Sequence, residues 1–154
     1  MTEKFPEIED LIPHRLGMKL IDRVLATDSE DVLTAQATVR DDWPMCDQGR
    51  LGATLTVELA AQAVGALHGM RALGNKKGRP VVGLLVGVKS AFFHRTYLPV
   101  GAELEIEVKS LYGAGGYGAF DCLVKHEGQV VGESSLQVME PEGDVLNGLL
   151  SRGN

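Results

Sequence analysis

The sequence predicts an α+β fold in which one long apolar helix is wrapped by an antiparallel sheet. Three observations carry this expectation. Residues 53–73 (ATLTVELAAQAVGALHGMRAL) are rich in Ala and Leu, the strongest helix formers, and contain no proline. The stretches before and after them alternate apolar and polar side chains with the period of a strand. The order is two strands, one helix, then about four strands, and a single helix against an antiparallel meander is an α+β layout.

The elements follow in chain order. Residues 7–11 (EIEDL) suit a short helical turn before Pro13. Residues 18–27 (MKLIDRVLAT) read as a strand, and the polar 28–31 (DSED) as a turn whose side chains bond their own backbone. Residues 32–39 alternate, with Leu33, Ala35, Ala37 and Val39 on the core side, so the two segments form a hairpin. Pro, Gly and Asp make 40–52 (RDDWPMCDQGRLG) a loop. Thr54 or Thr56 is the expected cap of the helix. Gly74-Asn75 closes it, with Lys76, Lys77 and Arg79 at the end that the helix dipole favours for cations. Beyond it, 81–93 is a strand that extends toward Tyr97, and Leu98 to Gly101 is a turn. Residues 103–108 (ELEIEV) put Leu104, Ile106 and Val108 inward and three glutamates outward. Residues 113–116 form a hairpin connection, and Glu127-Gly128 a tight turn between strands over 117–125 and 130–139.

Length and composition bound the function. The 154 residues fit one domain over 1–154, with a core over about 8–140 and a C-terminal tail over 141–154. A net charge of −6 argues against nucleic acid, whose phosphates need a basic face. No apolar run approaches the roughly 18 residues of a membrane span, and the polar N-terminus MTEKFPEIED is not a secretory signal. Cys46 and Cys122 form no C-x-x-C pair, so a reduced, cytoplasmic setting is expected. No histidine pair has zinc-ligand spacing, so no metal is expected. Residues 113–118 (GAGGYG) lack the spacing and the strand–helix context of a nucleotide loop.

Three stretches carry a family likeness. Leu11-Ile12-Pro13-His14-Arg15, followed by Leu20-Ile21-Asp22-Arg23-Val24, is similar to an opening L-P-H-R…L-(I/V)-D-R-V signature. Val57-Glu58-Leu59-Ala60-Ala61-Gln62-Ala63 matches the helix motif E-x-x-A-Q-A, and residues 98–104 match the turn before the next strand. Together they resemble the hotdog-fold 3-hydroxyacyl-acyl-carrier-protein dehydratases, and most of all the divergent dehydratase-like proteins of aryl-polyene-type biosynthetic clusters. The likeness is collinear over roughly 8–140, nearly the whole chain. One departure stands out. The family's catalytic histidine lies in a G-H-F-P-G segment before the helix, and here residues 41–50 read DDWPMCDQGR. Trp43-Pro44 aligns loosely with Phe-Pro, which puts Asp42 near the missing histidine.

The resemblance implies a site around Glu58. A carboxylate in an apolar helix needs a reason, since burying an unpaired charge is costly, and desolvation would raise its pKa toward proton-transfer use. The competing reading is a partly exposed structural residue. Gln62, one turn on, either orients Glu58 or a water or makes a simple polar contact with a loop. The backbone N–H groups of Gly52 and Ala53, at the helix start, suit the polarisation of a thioester carbonyl, or are an ordinary helix terminus. His14 is expected to be structural, as part of the opening motif, with an acid–base role as the alternative. His68, His94 and His126 are expected to be surface or hydrogen-bonded residues. Lys89 and Arg95, with Lys76, Lys77 and Arg79, either form a patch for an acidic carrier protein or a phosphopantetheine phosphate, or are scattered solvated charge.

The resemblance therefore implies an enzyme acting on acyl thioesters, a 3-hydroxyacyl-thioester dehydratase-like lyase of fatty-acid or polyene-type biosynthesis. The substrate would ride on the phosphopantetheine of acyl carrier protein or coenzyme A, with no other cofactor. The expected assembly is at least a homodimer, or a heterodimer with a related hotdog subunit. Dehydration needs two acid–base groups, and Asp42, His14 or a partner residue would have to stand in for the histidine. Two alternatives remain: an acyl-thioesterase using Glu58 and the helix-terminal N–H groups, or a catalytically weak subunit that pairs with an active partner.

Overall fold

The computed structural model describes residues 4–74, 84–114 and 116–139. Its elements are α1 (Ile8–Leu11), a 3-10 turn at Leu16–Met18, β1 (Arg23–Asp28), β2 (Val32–Thr38), β3 (Cys46–Asp47) and β4 (Arg50–Gly52). A second 3-10 turn, Ala53–Leu55, leads into α2 (Thr56–Gly74). There follow β5 (Leu84–Phe93), β6 (Tyr97–Pro99), β7 (Glu103–Ala114), β8 (Tyr117–His126) and β9 (Gln129–Met139). Lys76, Lys77, Arg79, the proposed closure at Asn75, the start of the strand at 81 and the tail 141–154 lie outside the described residues.

The main sheet has six strands in the order β1-β2-β7-β8-β9-β5, and every neighbouring pair is antiparallel. Helix α2 packs against β2, β7, β8 and β9. The alternation in β2 and β7 sends Leu33, Ala35, Ala37, Leu104, Ile106 and Val108 into the core, with Leu59, Ala63 and Leu67 facing them from the helix. Removing one such leucine to alanine costs about 2–5 kcal/mol. The β8–β9 turn has Glu127 and Gly128 both at positive φ (52° and 77°), the geometry of the two-residue hairpins whose twist matches the strands they join.

Four local expectations are corrected. Residues 18–22 are not strand. The backbone of Met18, Lys19 and Leu20 bonds side chains, Gln62 and Arg40, instead of a strand neighbour. The loop 40–52 holds β3 and β4, which with β6 make a small three-stranded sheet. Strands of two and three residues carry no readable periodicity. The strand after α2 does not run on to Tyr97, because β6 turns away to pair with β4. Neither threonine shows capping geometry: Thr56 Oγ1 donates to the Ala53 carbonyl (2.7 Å) and Thr54 Oγ1 to Met45 Sδ (3.5 Å).

Candidate active site

Helix α2 presents Glu58, Ala61, Gly65 and His68 on one stripe, at offsets of three, seven and ten residues from Glu58. Opposite this stripe runs the N-terminal segment 12–20, held by its own polar groups. The Arg15 guanidinium donates to the carbonyls of Ile12, His14 and Glu9. Lys19 bonds Glu9 and, through that bond first, holds its carboxyl below the usual range. The segment comes close because α2 carries glycine where it crosses. A Cβ at Gly69 would sit 2.3 Å from the Leu11 carbonyl oxygen, and one at Gly65 would sit 3.4 Å from Ile12 Cγ2.

Gln62 joins the segment to the helix. It is 1% exposed. Its carbonyl oxygen accepts from Leu20 N–H (2.9 Å), and its amide donates to Met18 O (2.8 Å) and to Glu58 Oε1 (3.0 Å). The expectation that Gln62 orients Glu58 thus has a geometry: one amide fixes the carboxylate and the strap together. The same strap brings His14 Nε2 to 3.8 Å from Glu58 Oε1. His14 Nδ1 is buried with no hydrogen-bond partner.

These residues surround a pocket of about 160 Å³. Its walls are His14, the helix stripe from Glu58 to His68, Leu85 of β5 and Val138 of β9. His68, set aside as a surface or satisfied histidine, is 7% exposed and packs edge-on to Phe120 (centroids 5.3 Å apart). A larger hollow of about 390 Å³ crosses β5, β7, β8 and β9, past Ser90, Glu107, Asp121 and Glu133. None of the site residues read from the sequence lies in it.

Several sequence expectations do not survive this geometry. The Glu58 side chain is 37% exposed, so the desolvated carboxylate is not realised within this chain: its stripe faces the gap between the strap and β5. Asp42 is 70% exposed, pairs with Arg40 (3.6 Å) and does not line the pocket that holds Glu58. The N–H groups of Gly52 and Ala53 already donate to Met45 O and Thr96 O, both at 3.0 Å, and are not free to hold a thioester oxygen. Lys89 and Arg95 stand away from the pocket; Arg95 bonds Gln129 and His126 at the β8–β9 turn. His94 pairs with Glu133 (2.7 Å), and His126 lies 3.9 Å from Glu127. Among the described residues, no group of His, Cys, Asp and Glu could hold a metal ion, and no helix is long and apolar enough to cross a membrane.

One long helix packed against a six-stranded antiparallel sheet, with a carboxylate on a helix stripe that lines a pocket, is the arrangement of a hotdog protein. The comparisons with known proteins agree. The model of the ApeP-like family, described as ApeP dehydratase, matches residues 6–150. The 3-hydroxyacyl-acyl-carrier-protein dehydratase FabZ of Neisseria meningitidis is 32% identical over 133 residues, covering 83% of this chain and 87% of that one. The corresponding protein of Bartonella quintana is 31% identical over 144 residues, 90% of each chain. Among solved structures, the dehydratase heterocomplex ApeI:P from Xenorhabdus doucetiae superposes with a TM-score of 0.84 at 23% identity, covering 96% of this chain and 99% of that one, a likeness of fold. The chain belongs to the ApeP-like dehydratase family.

Proposed function

We propose that this chain acts in the dehydration of 3-hydroxyacyl thioesters, carried on the phosphopantetheine of acyl carrier protein or coenzyme A, in fatty-acid or polyene-type biosynthesis. One observation carries the reading: Glu58, fixed by Gln62, faces His14 at 3.8 Å across a pocket bordered by apolar side chains. Loss of water moves two protons. The Glu58 carboxylate takes the proton from C2, the C2–C3 double bond forms as the C3–O bond breaks, and the His14 imidazolium protonates the departing hydroxyl. His14 is the one of the chain's own candidates for the missing histidine that lines this pocket.

A second reading has its own support. Glu58 and His14 are each about a third exposed, at 37% and 32%, and the gap they face borders β5, whose outer edge bears exposed apolar side chains. A second hotdog subunit on that edge would close the cleft, dry the carboxylate and bring a further acid–base group. The fold likeness to a dehydratase heterocomplex favours a related chain as that subunit. The thioesterase alternative loses ground, since the helix-terminal N–H groups it needed are engaged.

The test is incubation with 3-hydroxyacyl-carrier protein and 3-hydroxyacyl-coenzyme A, read by mass. The chain alone is expected to release water, and Glu58→Gln or His14→Ala to lower the rate by about a hundredfold or more. Water loss only when a related hotdog subunit is added would transfer the missing role to that subunit. Hydrolysis of the acyl group, or full activity in Glu58→Gln, would overturn the proposal.

A further inference from the structure

Resting on the dehydratase reading of the cleft, we infer that the chain's own C-terminal segment, Val145 to Leu150, docks on the open inner face of β5 and closes the His68 end of the Glu58 pocket, and so sets how long an acyl chain the pocket accepts. The path of β9 shows where this segment sets out. Gly132 lies against the start of α2, where a Cβ would sit 2.6 Å from Thr56 Oγ1. Six residues on, Val138 lines the pocket together with His68. Phe120, the β8 partner of Leu136, packs edge-on to the His68 ring at the same level. β9 therefore runs beside α2 from its start toward its end, and Met139 closes the strand one position past the pocket wall. The chain continues into 140–154 from the inner end of the pocket.

The face beside that exit is apolar and open among the described residues. Leu85 and Val88 pair with Val138 and Leu136, and paired residues of neighbouring strands turn their side chains to the same face. Val138 and Leu136 are buried, whereas Leu85 and Val88 remain 42% and 45% exposed. Across the gap α2 offers Ala61 and Gly65, too short to reach them. Another strand added along the β5 edge would use its backbone groups and leave this face unfilled. The continuing sequence carries a matching surface. After the polar 140–144 (EPEGD), Val145, Leu146, Leu149 and Leu150 stand at offsets of one, four and five, the spacing of one helical face. Five residues span at most about 17 Å, enough to turn back over a helix wall that rises roughly 11 Å from Ala61 to His68. The match to the ApeP-like family runs through residue 150, the last of these four apolar positions. Tethered a few residues from the face, the segment is held there at a high effective concentration that a separate subunit lacks.

Hydrogen exchange read by mass, on the full chain with its associating subunit where it has one, tests the docking without substrate. Amides of 145–150 are expected to exchange about tenfold or more slowly than in the same peptide free in solution. Leu146→Glu combined with Leu149→Glu should remove that protection while the amides of β8 and β9 keep theirs. Exchange at the free-peptide rate overturns the inference, and so does protection that appears only on association, which would make a second subunit the partner of this segment. Calorimetry with unreactive straight-chain acyl-pantetheine amides tests the role. Affinity should rise by about fourfold per methylene up to one length and then fall, and in the double variant the fall should come at a longer chain. An unchanged limit overturns the inference while leaving the dehydratase reading intact. If no amide binds and no water is lost from substrate, the dehydratase reading falls and this inference with it. Should the double variant fail to fold, exchange in the unaltered chain decides alone.

Discussion

Gln62 concentrates more of the site than its size suggests. Its three bonds hold the strap backbone at Met18 and Leu20 and one oxygen of Glu58. Gln62→Leu keeps the volume but leaves the buried Leu20 N–H without its acceptor, a loss of about 1–3 kcal/mol. For a domain of this size each kcal/mol lowers Tm by roughly 2–4 °C, so a melting experiment beside the turnover assay should show both a lower Tm and a lower rate. A second residue-scale expectation concerns Cys122. Burial pushes its thiol up from 9.0 to about 12. The unfolded chain then ionises before the folded one does, so this group's contribution is complete below 9.0 and is lost as pH rises toward about 12. Cys122→Ala should flatten the alkaline fall of Tm relative to the native chain. At neutral pH in the folded protein, alkylation followed by mass should find Cys46 modified before Cys122, since Cys46 is the less buried thiol.

At the scale of elements, the strap and α2 depend on glycine at their crossing. Gly69→Ala would put a methyl group against the Leu11 carbonyl, which is backbone and cannot swing aside. Overpacking of this kind costs about 1–3 kcal/mol, and the relief available is to lift α1 and the strap away from the helix. The rate should therefore fall further than the stability loss alone would dictate, because His14 moves away from Glu58 with the strap. A rate that tracks only the folded fraction would refute this. The crossing also shows where sequence reading stops. The helix at 53–73, the β1–β2 hairpin, the inward faces of β2 and β7 and the Glu127-Gly128 turn were legible because each rests on local periodicity or a local backbone requirement. Glu58 and Gln62 were legible because polar side chains stand out in an apolar helix. The engagement of Gly52 and Ala53 N–H by Met45 and Thr96 was not, because it joins segments more than forty residues apart in the case of Thr96. The place of His68 in the pocket wall was illegible for a similar reason: a histidine near a helix end reads as a surface or hydrogen-bonded residue, and which of the two holds depends on the sheet that covers it. The stripe spacing from Glu58 to His68 was the available signal.

At the scale of the molecule, association and chemistry meet at β5. Among the described residues it is the last strand of the six and pairs with β9 alone. Leu85, Val86, Val88 and Phe93 are exposed along it, and Phe92 is 62% exposed. A ten-residue edge with no partner among the described residues and that much apolar surface is a template for another strand, and proteins that stay single guard such edges with charge, proline or a bulge. Here the strand carries one lysine, Lys89, and no proline, though its pairing with β9 shifts register twice. Leu85 is also a wall of the Glu58 pocket, so whatever covers this edge acts on the site as well. Association and chemistry should therefore fail together. Val86→Lys combined with Phe92→Lys places two charges on the edge without touching Glu58, Gln62 or His14. Light scattering should show the assembly reduced to a single chain, circular dichroism an unchanged fold, and the mass assay a loss of dehydration. Retained association would place the interface elsewhere. A monomer with undiminished activity would show that Glu58 and His14 need no covering subunit.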